Sequence, residues 1–362
     1  MLKVLLPINI DKWRSPIATL LRACVEHNPD VHFVSFSRPE TEEDRENGKK
    51  FWSLPNITLG NWRSIFDRYD IVHIASHTPK NLLAGSLAKI ISAGKTKFLY
   101  TINLELEAEN RKTAIYQWFD LMVDYYVSVS RIAGKLVRED APDNYFGVIP
   151  NGYDPAFFYP FVDASGDLPE AVADLGGKSY VLNVAALEPR KHPEWIVSLA
   201  AANPDINFVM AGWVVPDGGE PFLHMIQNAA LPNLIWLGHV TRSAIRALLG
   251  NASVFAFPSE REGLPLSVIE AMGMGVPVIA QPKSSLPELI TNEICGSLRS
   301  IDGADAIHEW SRLIREYVSI DPSVRAERKT ELSRLTQARY SWESVGKMYS
   351  GIYKKTSRID DL

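Results

Sequence analysis

Residues Phe257–Ala280 read FPSEREGLPLSVIEAMGMGVPVIA. A short apolar run, Val254–Phe257, leads into this stretch and suits a buried strand. The loop behind it carries Ser259, Glu260, Arg261, Glu262 and Gly263. Leu266–Met272 then places apolar side chains at helical spacing, and Val276–Ile279 returns to a strand. Strand, loop, helix and strand in so short a span make a βαβ unit. Such a unit commits its sheet to parallel pairing with helices on the faces.

The same alternation extends in both directions. Towards the N-terminus, strands are expected at Tyr180–Val184, Ile206–Ala211 and Leu234–Leu237, with helices at Glu194–Ala202, Leu223–Ala229 and Ser243–Leu249. Proline and glycine crowd Pro150–Gly177, which reads as the linker between domains. Before it, strands are expected at Lys3–Ile8, Val31–Phe36, Ile71–Ile74, Phe98–Thr101, Tyr126–Val129 and Val148–Ile149. Helices are expected between them, at Ile17–Glu26, Leu82–Ser92, Ala114–Met122 and Ile132–Arg138. After the quoted segment come helices at Glu309–Tyr317 and Ala326–Gln337. A last helix spans Ser341–Tyr353, with Trp342, Val345, Met348, Tyr349 and Ile352 on one apolar face. The expected fold class is α/β, with two doubly wound Rossmann-like domains facing across a cleft. Their boundaries are 1–160 and 175–338, followed by the helix at about 340–362.

Composition narrows the function. The 362 residues are 46% hydrophobic and 22% charged, which suits two globular domains with their own cores. The formal charge of −5 advertises no nucleic-acid partner. Two cysteines, Cys24 and Cys295, supply neither a disulfide framework nor a zinc site, and a reducing, cytoplasmic setting is the simplest reading. No run of 18 apolar residues occurs, and the N-terminal stretch lacks the marks of a signal peptide. Several chemistries are missing their motifs. No G-x-G-x-x-G follows a strand, no G-x-S-x-G elbow is present, and Gly94-Lys95-Thr96 lacks the earlier glycine of a phosphate loop. No D-x-D pair stands ready to hold a metal against a diphosphate, and His73 and His77, four apart, have no acidic ligand beside them. No metal and no cofactor are expected.

What remains is the loop before Leu266. A helix N-terminus offers unpaired N–H groups and partial positive charge, which suits an anion, and Gly263 lets a ligand approach the backbone. Glu262 and Glu270 lie eight apart, so one carboxylate can face the reacting end of an extended ligand and the other its far end. On spacing alone the pair reads as an exposed loop glutamate and a helix-surface glutamate, placed so by chance.

Other segments fall in order around this one. Ile149-Pro150-Asn151-Gly152-Tyr153-Asp154, followed by Phe158, Val184–Lys191 (VAALEPRK), and Leu237-Gly238-His239-Val240 precede it. Asp70-Ile71-Val72-His73 and Ser128-Val129-Ser130 lie earlier, and Tyr340–Tyr353 closes the chain. Together with the glutamate pair, these segments resemble the family 4 (group 1) retaining glycosyltransferases of the GT-B fold. The match is strong from about Val148 to Pro287.

The resemblance implies transfer of a sugar from a nucleotide-sugar donor to an acceptor with retained configuration and without a metal. Glu262 matches the glutamate that contacts donor-sugar hydroxyls beside the reacting carbon, as nucleophile or as electrostatic stabiliser. Glu270 matches the one that holds the ribose. Lys191 matches the lysine that neutralises the leaving diphosphate. Backbone groups of Gly263, Leu264 and Leu266 would meet the donor, with Pro265, which lacks an N–H, in place of a common glycine. Gly238, His239 and Val240 match the loop that meets the base. The sequence departs from the pattern in three places. Ala186 stands where the family has an arginine, with Arg190 as the substitute that either turns in or faces solvent. Asn103 stands where a histidine often touches the donor sugar, and the loop from Asn9 to Ser15 lacks its usual glycines. These last changes sit on the acceptor side. The acceptor is a glycan, a lipid-linked sugar or a small molecule. Trp52, Trp62, Lys49, Lys50 and Arg63 form a candidate patch for peripheral contact with the cytoplasmic face of a membrane, or else pack under a loop. A sugar phosphorylase on the same fold and a non-catalytic sugar-nucleotide-binding subunit are the rival readings.

Overall fold

The computed structural model describes residues 2–7, 16–35, 42, 69–75, 79–104, 114–140, 142–161 and 165–358. Asn9, His77, Trp52, Trp62, Lys49, Lys50 and Arg63 lie outside them. Two compact units result, one of Met1–Gly152 with Trp342–Leu362, the other of Tyr153–Ser341. Residues 153–160, which the sequence reading gives to the first domain, group with the second. There Tyr153 donates its N–H to the Tyr340 carbonyl at 2.8 Å and lays its ring where Gly273 has no side chain.

The first unit holds strands β1 (Leu2–Leu6), β2 (Val31–Ser35), β3 (Ile71–Ile74), β4 (Lys97–Ile102), β5 (Tyr125–Ser128) and β6 (Tyr145–Val148). They form one parallel sheet in the order β2-β1-β3-β4-β5-β6. All four residues of β3 are buried, as expected of a central parallel strand covered on both faces. The C-terminal helix Trp342–Arg358 packs on the helix Pro16–Glu26. Its buried face is Trp342, Val345, Tyr349 and Tyr353, joined to Val4, Leu20 and Ile71 in one core. Met348, assigned to that face from its spacing, is 41% exposed instead. Gly346 sits at the crossing, where a Cβ would lie 2.6 Å from that of His27. Tyr353 OH meets His73 Nδ1 at 2.7 Å, and Thr101 Oγ1 meets His73 Nε2 at 2.9 Å. Both ring nitrogens are therefore engaged by protein hydroxyls, and burial pulls the His73 pKa down to about 3. His73 is a neutral core histidine.

The second unit holds β7 (Tyr180–Val184), β8 (Asn207–Ala211), β9 (Leu234–Trp236), β10 (Val254–Phe257), β11 (Val278–Ala280) and β12 (Gly296–Leu298). They too are all parallel, in the order β12-β11-β10-β7-β8-β9. The chain starts this sheet at β7, builds outward through β8 and β9, then returns to the other side of β7 with β10. The junction of β7 and β10 is thus the point where strand order reverses. In open α/β sheets, ligands collect beyond the carboxyl ends of the strands at such a point. Thr241 caps the helix Arg242–Asn251 by accepting the Ala244 N–H at 3.1 Å. Strand β12 lies outside the expected pattern.

Candidate active site

The loops that follow β7 and β10 bring Lys191 and Glu262 into contact across 71 positions of sequence. Lys191 ends a short 3₁₀ turn, Pro189–Lys191, and the left-handed residue His192 (φ 50°) turns the chain into the helix Pro193–Ala202. The two loops are stitched together by backbone. The Glu260 N–H donates to the Arg190 carbonyl at 3.0 Å.

Glu262 is 6% exposed. Its Oε1 accepts from Lys191 Nζ and, at 2.6 Å, from Ser259 Oγ. Arg190 Nη1 lies 3.4 Å from the same oxygen. Arg190 is therefore turned inward, the first of the two placements open from the sequence, and it is fixed there by the Arg261 carbonyl at 2.7 Å and Glu188 Oε1 at 2.6 Å. The Lys191 ammonium also stands 5.0 Å above the Phe257 ring. Burial lowers the Lys191 pKa, while Glu262 opposes that shift. A cation and a carboxylate, both largely screened from water, thus lie side by side at the sheet's switch point.

Ser284, whose backbone is left-handed (φ 53°), reaches over from the loop after β11. Its hydroxyl accepts the Glu262 N–H at 3.0 Å and donates to the Glu262 carbonyl at 2.7 Å. The buried Gln281 side chain donates Nε2 to the Pro258 carbonyl. These two residues and Ser259 fix the loop, and sequence reasoning did not single them out for the site.

Gly263, Leu264 and Pro265 carry the chain into the helix Leu266–Gly273. Pro265 holds the N-cap position and, among the described residues, no side chain caps the helix's first N–H groups. Glu270 follows on this helix, largely buried, with Arg242 Nη2 3.7 Å from its Oε1. The Arg242 guanidinium stacks on Phe157 and Phe158 at 4.9 and 5.0 Å. Burial raises the Glu270 pKa to about 7, with Arg242 pulling the other way. The unfolded carboxyl titrates near 4.5, so between these values the folded chain holds a proton that the unfolded chain has lost. This group's contribution to stability is fully present below about 4.5, falls as pH rises to about 7, and is flat above. Glu270→Gln is expected to remove that loss. Melting curves at pH 5 and pH 8 should show the variant gaining on the parent at pH 8. An equal difference at both pH values would count against the raised pKa.

Gly238 (φ 65°), the exposed His239 and the half-buried Val240 follow β9. The Gly238 carbonyl accepts the Gly212 N–H at 2.9 Å, tying this loop to the one after β8. Gly212 has no room for a side chain, since a Cβ would lie 1.8 Å from the Ala185 carbonyl oxygen. Asn103 belongs to the first unit, at the carboxyl end of β4, and donates Nδ2 to the Ala75 and Thr101 carbonyls at 2.5 and 3.2 Å. Among the sequence-selected residues, Lys191, Arg190 and Glu262 form one contact group. Glu270 shares the helix that follows it. Among the described residues, no set of three or more histidine, cysteine or acidic side chains is placed to hold a metal, and no helix is long and apolar enough to cross a membrane.

Comparison with known proteins places these features in context. The family model for glycosyl transferases group 1 matches residues 168–328, and that for glycosyltransferase family 4 matches residues 17–157. A UDP-Gal:alpha-D-GlcNAc-diphosphoundecaprenol alpha-1,3-galactosyltransferase of Escherichia coli is 28% identical over 258 residues, 66% of this chain and 65% of that one. A D-inositol 3-phosphate glycosyltransferase of Mycolicibacterium gilvum is 28% identical over 185 residues, 49% of this chain and 40% of its own length. The chain thus aligns with less than two-thirds of either relative. In fold, it is similar to Anabaena HepE in complex with UDP and glucose (TM-score 0.75, 16% identity, 98% of this chain and 100% of that one). The sucrose-phosphate synthase of Thermosynechococcus elongatus is also similar (TM-score 0.72, 18% identity, 98% and 99%).

Proposed function

The chain belongs to the group 1, family 4 glycosyltransferases, and from that premise we propose that it moves a sugar from a nucleoside diphosphate donor to an acceptor hydroxyl, with retention and without a metal. The observation that carries this reading is the Lys191–Glu262 pair, buried at the switch point of the second sheet.

In the proposed reaction the bond between the sugar's anomeric carbon and the diphosphate oxygen breaks, and its electron pair leaves with the diphosphate. The acceptor oxygen bonds to that carbon and passes its proton to the departing diphosphate oxygen. Negative charge grows on the leaving group and positive charge on the sugar ring. Lys191, with Arg190 beside it, answers the first. The Glu262 carboxylate answers the second. Charges already fixed in a site screened from water need no reorganisation as the reaction proceeds. The uncapped start of the helix Leu266–Gly273 adds partial positive charge for the phosphates. Glu270 offers a carboxylate to the ribose hydroxyls, and the loop Gly238–Val240 offers backbone to the base.

The relatives named above include one that uses UDP-Gal, so UDP and its sugar conjugates head the donors to test. A thermal-shift screen of UDP, GDP, ADP and TDP with their sugar conjugates is expected to raise the melting temperature with one nucleotide series. At a ligand concentration a hundredfold above Kd the gain is about 2.7 kcal/mol, or several degrees for domains of this size. Silence across the whole panel would overturn the donor site. With the responding donor, EDTA is expected to leave the rate unchanged, whereas a loss that magnesium restores would contradict the metal-free mechanism.

A further inference from the structure

We propose that Ser259 is a positioning residue of the transfer reaction, holding Glu262 by one oxygen so that the other stays aimed at the donor sugar while Lys191 serves the diphosphate. The inference rests on the glycosyl-transfer reading above and concerns a division of labour inside that site.

The starting point is an asymmetry. Ser259 Oγ, Lys191 Nζ and Arg190 Nη1 all converge on Glu262 Oε1. None of these contacts goes to Oε2. Among the described residues these anchors all take Oε1, and Oε2 is the oxygen assigned here to the ligand.

The anchors differ in what a diphosphate does to them. Lys191 and Arg190 are cations, and a multiply charged diphosphate competes with Glu262 for both. Ser259 carries no charge, so the incoming anion does not draw it away. Its single hydroxyl proton has two acceptors within reach, Glu262 Oε1 at 2.6 Å and the Arg190 carbonyl at 3.2 Å. The shorter contact, to the charged acceptor, is the stronger bond.

Ser259 is also rigid. It is fully buried, two residues beyond the end of β10. Gln281 grips the Pro258 carbonyl just before it, and Ser284 clamps the Glu262 backbone just after. Its side chain has one rotatable bond to the hydroxyl, against four along the lysine stem. The serine therefore keeps the carboxylate in register when the ammonium turns towards the phosphates. A carboxylate misplaced by about 1 Å can cost on the order of a hundredfold in rate.

The test compares Ser259→Ala and Ser259→Thr with the parent chain. UDP affinity is measured by calorimetry, and release of UDP from UDP-glucose or UDP-galactose, or of GDP from GDP-mannose, with water as acceptor, gives kcat and KM. Ser259→Ala is expected to lower kcat by about ten- to a hundredfold, with KM and nucleotide Kd within twofold and a melting temperature lower by only a few degrees. Ser259→Thr, which keeps the hydroxyl, is expected to recover most of kcat. An Ala variant with parental kcat would overturn the inference, as would a loss shared equally by Kd and melting temperature. A parent chain that neither binds nor turns over these nucleotides, nor ADP, TDP and their sugar conjugates, would instead remove the glycosyl-transfer reading itself.

Discussion

Replacing Glu262 by glutamine is expected to lower turnover by at least about 10²- to 10³-fold, the loss seen when one preorganised electrostatic partner of a transition state is removed. Glutamine keeps the size of the side chain and an oxygen that can accept the Ser259 hydroxyl, so the loop clamped by Ser284 has no reason to move. What disappears is the negative charge facing the sugar ring as the anomeric bond breaks. Nucleotide binding is expected to behave differently. In the parent chain Lys191 spends part of its charge on Glu262. Freed of that partner, the ammonium should hold a diphosphate as tightly as before or more so. Calorimetry with UDP and a UDP-release assay, run on the same preparation, separate the two effects. Near-normal turnover would strip Glu262 of its catalytic assignment. A fall in affinity matching the fall in rate would instead point to a purely binding role.

The sequence made the parts of this site legible to different degrees. Glu262, Glu270 and Lys191 stood out because the segments that hold them resemble motifs of the family 4 glycosyltransferases; the spacing of the two glutamates alone did not single them out. The parallel architecture was equally readable, because apolar runs alternated with helical spacing along nearly the whole chain. The partners of Glu262 were not. Ser259 and Ser284 are serines in loops, where local turn chemistry is the ordinary explanation. Ser284 reaches Glu262 across 22 residues, and only because β11 lies beside β10. That adjacency belongs to strand order, which no single segment encodes. Strand β12 was hidden for a local reason. It has three residues and opens on Gly296 (φ 143°), where a Cβ would lie 1.9 Å from the Val278 carbonyl oxygen. A glycine demanded by close strand packing reads from sequence as a turn. On the last helix, Tyr353 continues the stripe of Trp342, Val345 and Tyr349 at helical spacing and is buried with it, its OH meeting His73 Nδ1, whereas Met348 lies off that stripe and is exposed.

Lys191→Ala carries the second large expectation, a ten- to hundredfold weaker affinity for the nucleoside diphosphate. Hydrogen bonds to charged groups are worth about 1.5–3 kcal/mol, and the side chain is only 12% exposed, so water does little to replace it. Arg190→Ala is the necessary companion. Its side chain is 34% exposed and already engaged by Glu188 and the Arg261 carbonyl, so its removal is expected to cost less than that of Lys191. Arginine at position 191 should not restore binding. A planar fork replaces a compact point charge above the Phe257 ring, and its donors point elsewhere. The three variants thus make a ranking, with Lys191→Ala and Lys191→Arg both weak and Arg190→Ala closer to the parent. The reverse ranking would move the diphosphate to Arg190. It would also give the phosphates a cation at Arg190, which Glu188 holds in place four residues after Ala186, the position where the resemblance expects an arginine.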